Sequence, residues 1–238
     1  MCRPELDNAA LAAWYRRNRQ RSRALFDVLT EDVYYAQPIA LRHPIVFYEG
    51  HLPAFSFNTL VKRALGRPSI DPPLERLFAR GIDPDPTGAA QASSRETWPG
   101  RDVVRAFAEE ADRQVLDCLA HADLSQPGDS LLDRGEAAFA ILEHEAMHQE
   151  TLLYMFHRLP WVDKRAPATY RSVRDGRMPS QEWISMPCGR ATLGVDAGAL
   201  PFSWDNERPS CSVDVPAFAI ERYNVTNAAF LADRKSVV

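Results

Sequence analysis

Two histidines, His144 and His148, stand four residues apart in ILEHEAMHQETLLYM, a run rich in Ala, Leu, Glu and Met that stops before Pro160 and is predicted to be helical. At 3.6 residues per turn their side chains lie roughly 40° apart and one turn separated, so both imidazoles can reach one cation. Ala137 and Thr151, seven residues either side of His144, share that stripe, so small side chains border the pair and leave room for ligands. Glu150 falls about 120° to 160° away and is expected to support or pack rather than ligate, and His157 fails the same test. Two such histidines can be hydrogen-bonded core residues. Two polar rings facing a bundle interior each need partners, however, and a shared cation satisfies both at once.

For a third ligand the candidates are His43, His51, His121 and His157. His51, in FYEGHLPAF, is favoured by context: Gly50 permits a tight turn and Pro53 is expected to open a helix with His51 at its entrance. His43 precedes a proline and His121 ends a predicted helix, where packing and contact with a helix C-terminus are the expected roles. Three neutral imidazoles leave the full +2 charge on a metal and three positions open, which suits an anionic thiolate and dioxygen together, an iron-type arrangement. The letters HEAMH also fit HExxH, the zinc-hydrolase pattern in which the Glu is the general base. Its extended form needs Gly and His where Thr151 and Tyr154 stand, and the next glutamate, Glu182, lies beyond a proline-containing stretch. A metal-binding bundle without chemistry of its own is the remaining alternative.

The elements that must position these residues are readable in outline. Asp7 or Asn8 can cap a first helix running through LAAWYRRNRQRSRALFDVL. YYAQPIALRHPIVFYEG, with two prolines and many aromatics, is expected to be an extended, packed connection. From Gly66 to Gly100 a long surface loop is broken only by LERLFARG. RDVVRAFAEEADRQVLDCLAHA gives a third, amphipathic helix, and a fourth runs from about Leu131 to Arg158. Four helices with long connections imply a bundle with its site on facing helices. From Trp183 short runs such as ATLGV, CSVDV and FAIERYNVT announce a β-rich second unit. The expected division is 1–160 bundle, 161–182 linker and 183–238 β-rich unit.

With 238 residues, 45% of them hydrophobic and 25% charged, the chain can bury at least one sizeable core. A net charge of −4 gives no electrostatic reason to expect nucleic acid or an anionic membrane as partner. The basic cluster Arg16 to Arg23 reads as a solvated helix face. The start has no apolar core after its charges and no long apolar run occurs, so a cytoplasmic protein is expected. Cys2, Cys118, Cys188 and Cys211 form no CxxC pair and read as reduced thiols.

The combination of GHL (Gly50 to Leu52), HEAMHQET (His144 to Thr151), WISMPCG, FSWDNERP and VTNAAFL resembles the ergothioneine-biosynthesis family of non-haem iron sulfoxide synthases. The resemblance implies an α+β chain in which a DinB-like four-helix bundle is followed by the beginning of a formylglycine-generating-enzyme-like domain with a C-type-lectin-like fold. It further implies that His51, His144 and His148 hold Fe(II), which with O₂ joins the sulfur of a thiol to the imidazole of hercynine. The run YYAQPIALRHPIVFYEGHLPAF is similar also to the selenoneine synthases, whose donor is a selenosugar.

Some members of that family carry a glutamine against the betaine substrate where Met147 stands here, and Thr151 borders the same place. Arg76 and Arg80 of LERLFARG are expected to clamp a donor carboxylate if the loop folds over the site. The family's catalytic tyrosine lies beyond the last residue of this chain, so no catalytic residue is assigned within it. The closing DRKSVV (Asp233 to Val238) departs from the family pattern and matches the translation of a common sequencing adapter. A C-terminally truncated product that binds metal without turnover is therefore expected.

Overall fold

The computed structural model describes residues 6–79, 98–168, 170–171 and 180–236. Contacts divide the chain into two compact units, Met1–Ala168 and Thr169–Val238.

The first unit is helical. α1 (Asn8–Phe26) opens where the Asp7 carboxylate accepts from the Ala10 N–H at 2.9 Å, the capping bond the sequence predicts. α4 (Arg101–His121) and α5 (Glu136–Phe156) follow the predicted apolar spacing. α5 starts five residues later than expected, because Arg134 and Gly135 both take positive φ (62° and 77°) and no helix can propagate through them. α1 and α2 each pack on both α4 and α5, which closes a four-helix bundle, and the short α3 (Pro72–Phe78) lies on α2.

α2 (Ile45–Ser56) departs most from expectation. Pro44, not Pro53, precedes its first turn, and Pro53 sits inside the helix with His51 mid-helix rather than at an entrance. An internal proline costs about 3 kcal/mol. Here Ile45, Val46, Phe47, Tyr48 and Leu52 are all buried, each contributing about 1.5 to 3 kcal/mol, so packing outweighs the local penalty. Beyond Pro53 the helix widens to π geometry over Phe57–Ala64, with the Leu65 N–H reaching the Leu60 carbonyl at 3.2 Å.

The apolar core falls into two clusters. One gathers Phe26, Phe47, Leu52, Phe78, Trp98, Phe107 and Leu152; the other gathers Leu11, Tyr15, Phe57, Leu60, Val115, Ile141 and Leu142. On α5 the break between them spans His144 to His148, and on α1 it spans Arg19 and Ser22. A buried polar layer thus crosses the middle of the bundle.

The stretch from Trp161, expected to be a linker, is at first part of the bundle unit. A turn at Trp161–Asp163 is tied back by Thr30 N–H to the Asp163 carbonyl (3.0 Å) and by a bridge between Leu29 and Lys164. The second unit holds two antiparallel pairs. β1 (Trp183–Met186) pairs with β4 (Phe218–Glu221), and β2 (Gly189–Leu193) with β3 (Cys211–Val215), before α6 (Asn227–Ser236). Phe218, Ile220 and Phe230 are exposed. Among the described residues no helix is long and apolar enough to cross a membrane.

Candidate metal centre

In the polar layer three imidazoles converge. His51 on α2 and His144 and His148 on α5 each offer a ring nitrogen, and these lie within 4.8 Å of one another. Ring centroids are 5.0 Å apart for His51 with either partner and 4.4 Å for His144 with His148. His51 Nδ1 lies 2.7 Å from the Phe78 carbonyl. A carbonyl only accepts, so Nδ1 must donate and the lone pair is left on Nε2, 3.2 Å from His144 Nε2.

Charge and solvation agree with this arrangement. Burial, followed by the neighbouring histidines, pushes His144 down to about 2; burial, His51 and then Arg42 push His148 down to about 3. Burial lowers His51 as well. All three are therefore neutral bases at pH 7. His144 and His148 each keep a buried Nδ1 with no hydrogen-bond partner. Aromatic rings wall the cluster: Phe55 stacks on His144 at 3.5 Å, Phe47 on His51 at 4.8 Å, and Tyr48 lies 5.5 Å from His148. The donor set is three neutral, buried nitrogens, which fits a borderline divalent cation.

Gly50 owes its place to packing rather than to a turn. A Cβ there would collide with the Phe78 ring, whose own backbone carbonyl holds His51. The bare α-carbon lets α3 close against α2 and deliver that carbonyl.

Ala137 and Thr151 are buried on the histidine stripe, and Thr151 Oγ1 donates back to the Met147 carbonyl at 3.3 Å. Met147 is half exposed. Glu150 and His157 are exposed, so Glu150 has no packing duty. His43 lies tilted against Phe47 at 4.1 Å, one ring removed from His51, and His121 is exposed beside Asp117. Arg76 is exposed on α3, and Arg80 lies outside the described residues.

A second polar cluster lies on the other side of α5 and corrects the expectation of a solvated basic face at Arg16 to Arg23. Arg19 is buried, 7% exposed, with Nε 2.8 Å from Asp112 and Nη1 3.0 Å from Glu145. Ser22 donates to Glu145 at 2.6 Å, Tyr15 to Asp112 at 2.7 Å, and Arg23 reaches Asp112 at 2.9 Å. Burial pulls the Arg19 guanidinium down, but Glu145 and Asp112 more than offset it and hold it charged. Burial raises the Glu145 carboxyl against the pull of Arg19. Glu145 is the residue an HExxH hydrolase would use as general base, and it faces α1 instead of the histidines. The signal for this cluster was present: Asp112 falls on the buried stripe of α4, between Ala111 and Val115.

The family model of the DinB superfamily matches residues 15–152. Ergothioneine biosynthesis protein 1 of Neurospora crassa is 30% identical over 95% of the chain and 27% of its own length. Its counterpart of the same name in Schizosaccharomyces pombe is 26% identical over 86% of the chain and 30% of its own length. A hercynine oxygenase of Mycolicibacterium thermoresistibile is 38% identical over 68% of the chain and 34% of its own length. The chain thus spans about a third or less of each of these relatives.

Proposed function

Because the chain belongs to the DinB superfamily and is homologous to the ergothioneine-biosynthesis proteins, we propose that His51, His144 and His148 hold Fe(II) for an O₂-dependent reaction of hercynine. The reaction class is C–S bond formation with a thiol, or C–Se formation with a selenosugar, at the hercynine imidazole. The observation that carries the reading is the convergence of three neutral imidazoles from two helices on one point.

Fe(II) held there would supply O₂ activation and one-electron chemistry. The residues do the rest. The histidines contribute no negative charge, so a cation held by them would keep its full charge for an anionic thiolate. The Phe78 carbonyl fixes the tautomer and ring angle of His51, as outer partners of metal-bound histidines do. Phe47 and Phe55 exclude water from two ligand faces. Thr151 and the half-exposed Met147 border the side where hercynine would lie. Arg76 and Arg80 are the proposed contacts for a donor carboxylate. We read the second unit as the opening of a formylglycine-generating-enzyme-like domain.

Titration of the anaerobically Fe(II)-loaded protein with hercynine and with cysteine, γ-glutamylcysteine or a selenosugar tests this, followed by product mass analysis once O₂ is admitted. One equivalent of iron and binding of both substrates are expected. Iron uptake with no affinity for hercynine would leave the bundle a metal site without this chemistry, and peptide cleavage after zinc loading would favour a hydrolase.

A further inference from the structure

The three histidines of the cluster are not held alike. His51 is fixed by a hydrogen bond, Nδ1 to the Phe78 carbonyl at 2.7 Å. His144 turns Nε2 toward the cluster, 3.2 Å from His51 Nε2, and its Nδ1 is buried with no hydrogen-bond partner among the described residues. What lies against His144 instead is a ring. Phe55 is face to face with it, centroids 3.5 Å apart and planes 10° from parallel. Neither other histidine has so close and parallel a neighbour: Phe47 is 4.8 Å from His51 at 20°, and Tyr48 is 5.5 Å from His148 at 57°. Phe55 is itself anchored. It stands four residues after His51 on α2, half-buried and packed against the cluster of Leu11, Ile141 and Leu142.

The kind of contact matters because His144 must carry its proton differently in two states. In the metal-free protein His51 Nε2 bears a lone pair, so the 3.2 Å contact requires His144 to donate from Nε2. As a ligand His144 presents the Nε2 lone pair and carries the proton on Nδ1. A hydrogen-bonding neighbour at Nδ1 would favour one of these tautomers over the other, whereas an aromatic face holds the ring and accepts both. We propose that Phe55 is the positioning residue for His144. Its stacked ring sets the plane of the imidazole, the part that the Phe78 carbonyl plays for His51, and leaves the tautomer free to change when a divalent cation binds. α2 thereby supplies one ligand and the support of another on α5. The inference rests on the metal reading above.

Co(II) uptake by the chain, followed by its d–d absorption and by competition with a chelating dye, tests this beside the urea midpoint of each metal-free variant. Phe55→Leu keeps an apolar side chain and removes the flat face. It should weaken Co(II) binding about tenfold or more and shift the d–d bands, while the metal-free urea midpoint moves little. Phe55→Tyr restores the face and should bind within about threefold of the wild type with unshifted bands. Should Phe55→Leu not fold, Phe55→Met, adaptable in shape, is read by the same criteria. Unaltered affinity and bands in Phe55→Leu overturn the proposal and leave the metal site standing. A loss of affinity matched by a loss of metal-free stability does the same, since it marks Phe55 as a packing residue. Weakening in Phe55→Tyr as large as in Phe55→Leu also overturns it. Co(II) uptake that persists in His144→Ala overturns the metal reading, and this inference with it.

Discussion

Back to back on α5, the protein carries two buried polar clusters that solve the same problem in opposite ways. Toward α1 and α4, Arg19 and Arg23 face Asp112 and Glu145, so two positive groups meet two negative ones within 3.0 Å. Toward α2, three imidazoles face one another, and among the described residues no acid joins them. One cluster balances its charge from its own side chains, while the other holds no charge of its own and brings ring nitrogens together at one point. The difference separates scaffold from site more sharply than burial does, since both clusters are buried. It also divides the motif HEAMHQ, whose His144 and His148 belong to one face and whose Glu145 and Gln149 belong to the other.

The strongest way to break the comparison is to remove one member from each side. His144→Ala or His148→Ala should abolish stoichiometric divalent metal uptake, measured by elemental analysis after gel filtration, with the helical circular dichroism retained. His51→Ala should do the same; normal loading in His51→Ala together with loss in His43→Ala would show the third ligand to be misassigned. On the other side, Arg19→Met leaves Glu145 buried without a cation and Asp112 with Arg23 alone, and should cost about 3 to 5 kcal/mol in urea unfolding. A loss under about 1 kcal/mol would mean that water already solvates those carboxylates.

How much of this was legible follows the same division. Helical spacing alone placed His144, His148, Ala137 and Thr151 on one buried stripe, because those positions depend on geometry within a single helix. Arg19 reads as solvated from sequence and is buried in the fold because its partners come from α4 and α5, and a sequence read along one helix contains no information about ions on another. Pro53 misled for a related reason. Its local penalty is visible in the sequence, whereas the burial of Ile45 to Leu52 that overrides it exists only once α2 is packed. His51 was singled out through its neighbours Gly50 and Pro53, but their parts differ from those assigned: Gly50 admits Phe78, and Pro53 continues the helix.

Gly50→Ala sharpens the comparison, because it should disturb the histidine side and leave the ionic side alone. The new methyl meets the buried Phe78 ring, and α3 must shift to accommodate it. Overpacking of this kind costs about 1 to 3 kcal/mol. The informative readout is metal affinity: moving Phe78 also moves the carbonyl that orients His51, so affinity should fall by about tenfold or more. Loss of stability with unaltered affinity would show that the carbonyl does not position the ligand.

The smallest expected effect is a difference in how stability depends on pH. In the folded, metal-free protein His144 and His148 lie at about 3 or below, while in the unfolded chain they return to the ordinary value near 6.5. Between those limits the unfolded state binds protons that the folded state refuses, so each group costs stability as pH falls below about 6.5, at about 1.4 kcal/mol per pH unit. Other groups titrate in the same range, and the test is therefore a difference between chains. With a chelator present, urea midpoints of the wild type and of His144→Leu are compared from pH 7 to pH 5. The variant should lose stability more slowly, by about 1.4 kcal/mol per unit at the acid end of that window. Parallel curves would mean that His144 takes up a proton in the folded state, and that a counter-charge not found among the described residues reaches it.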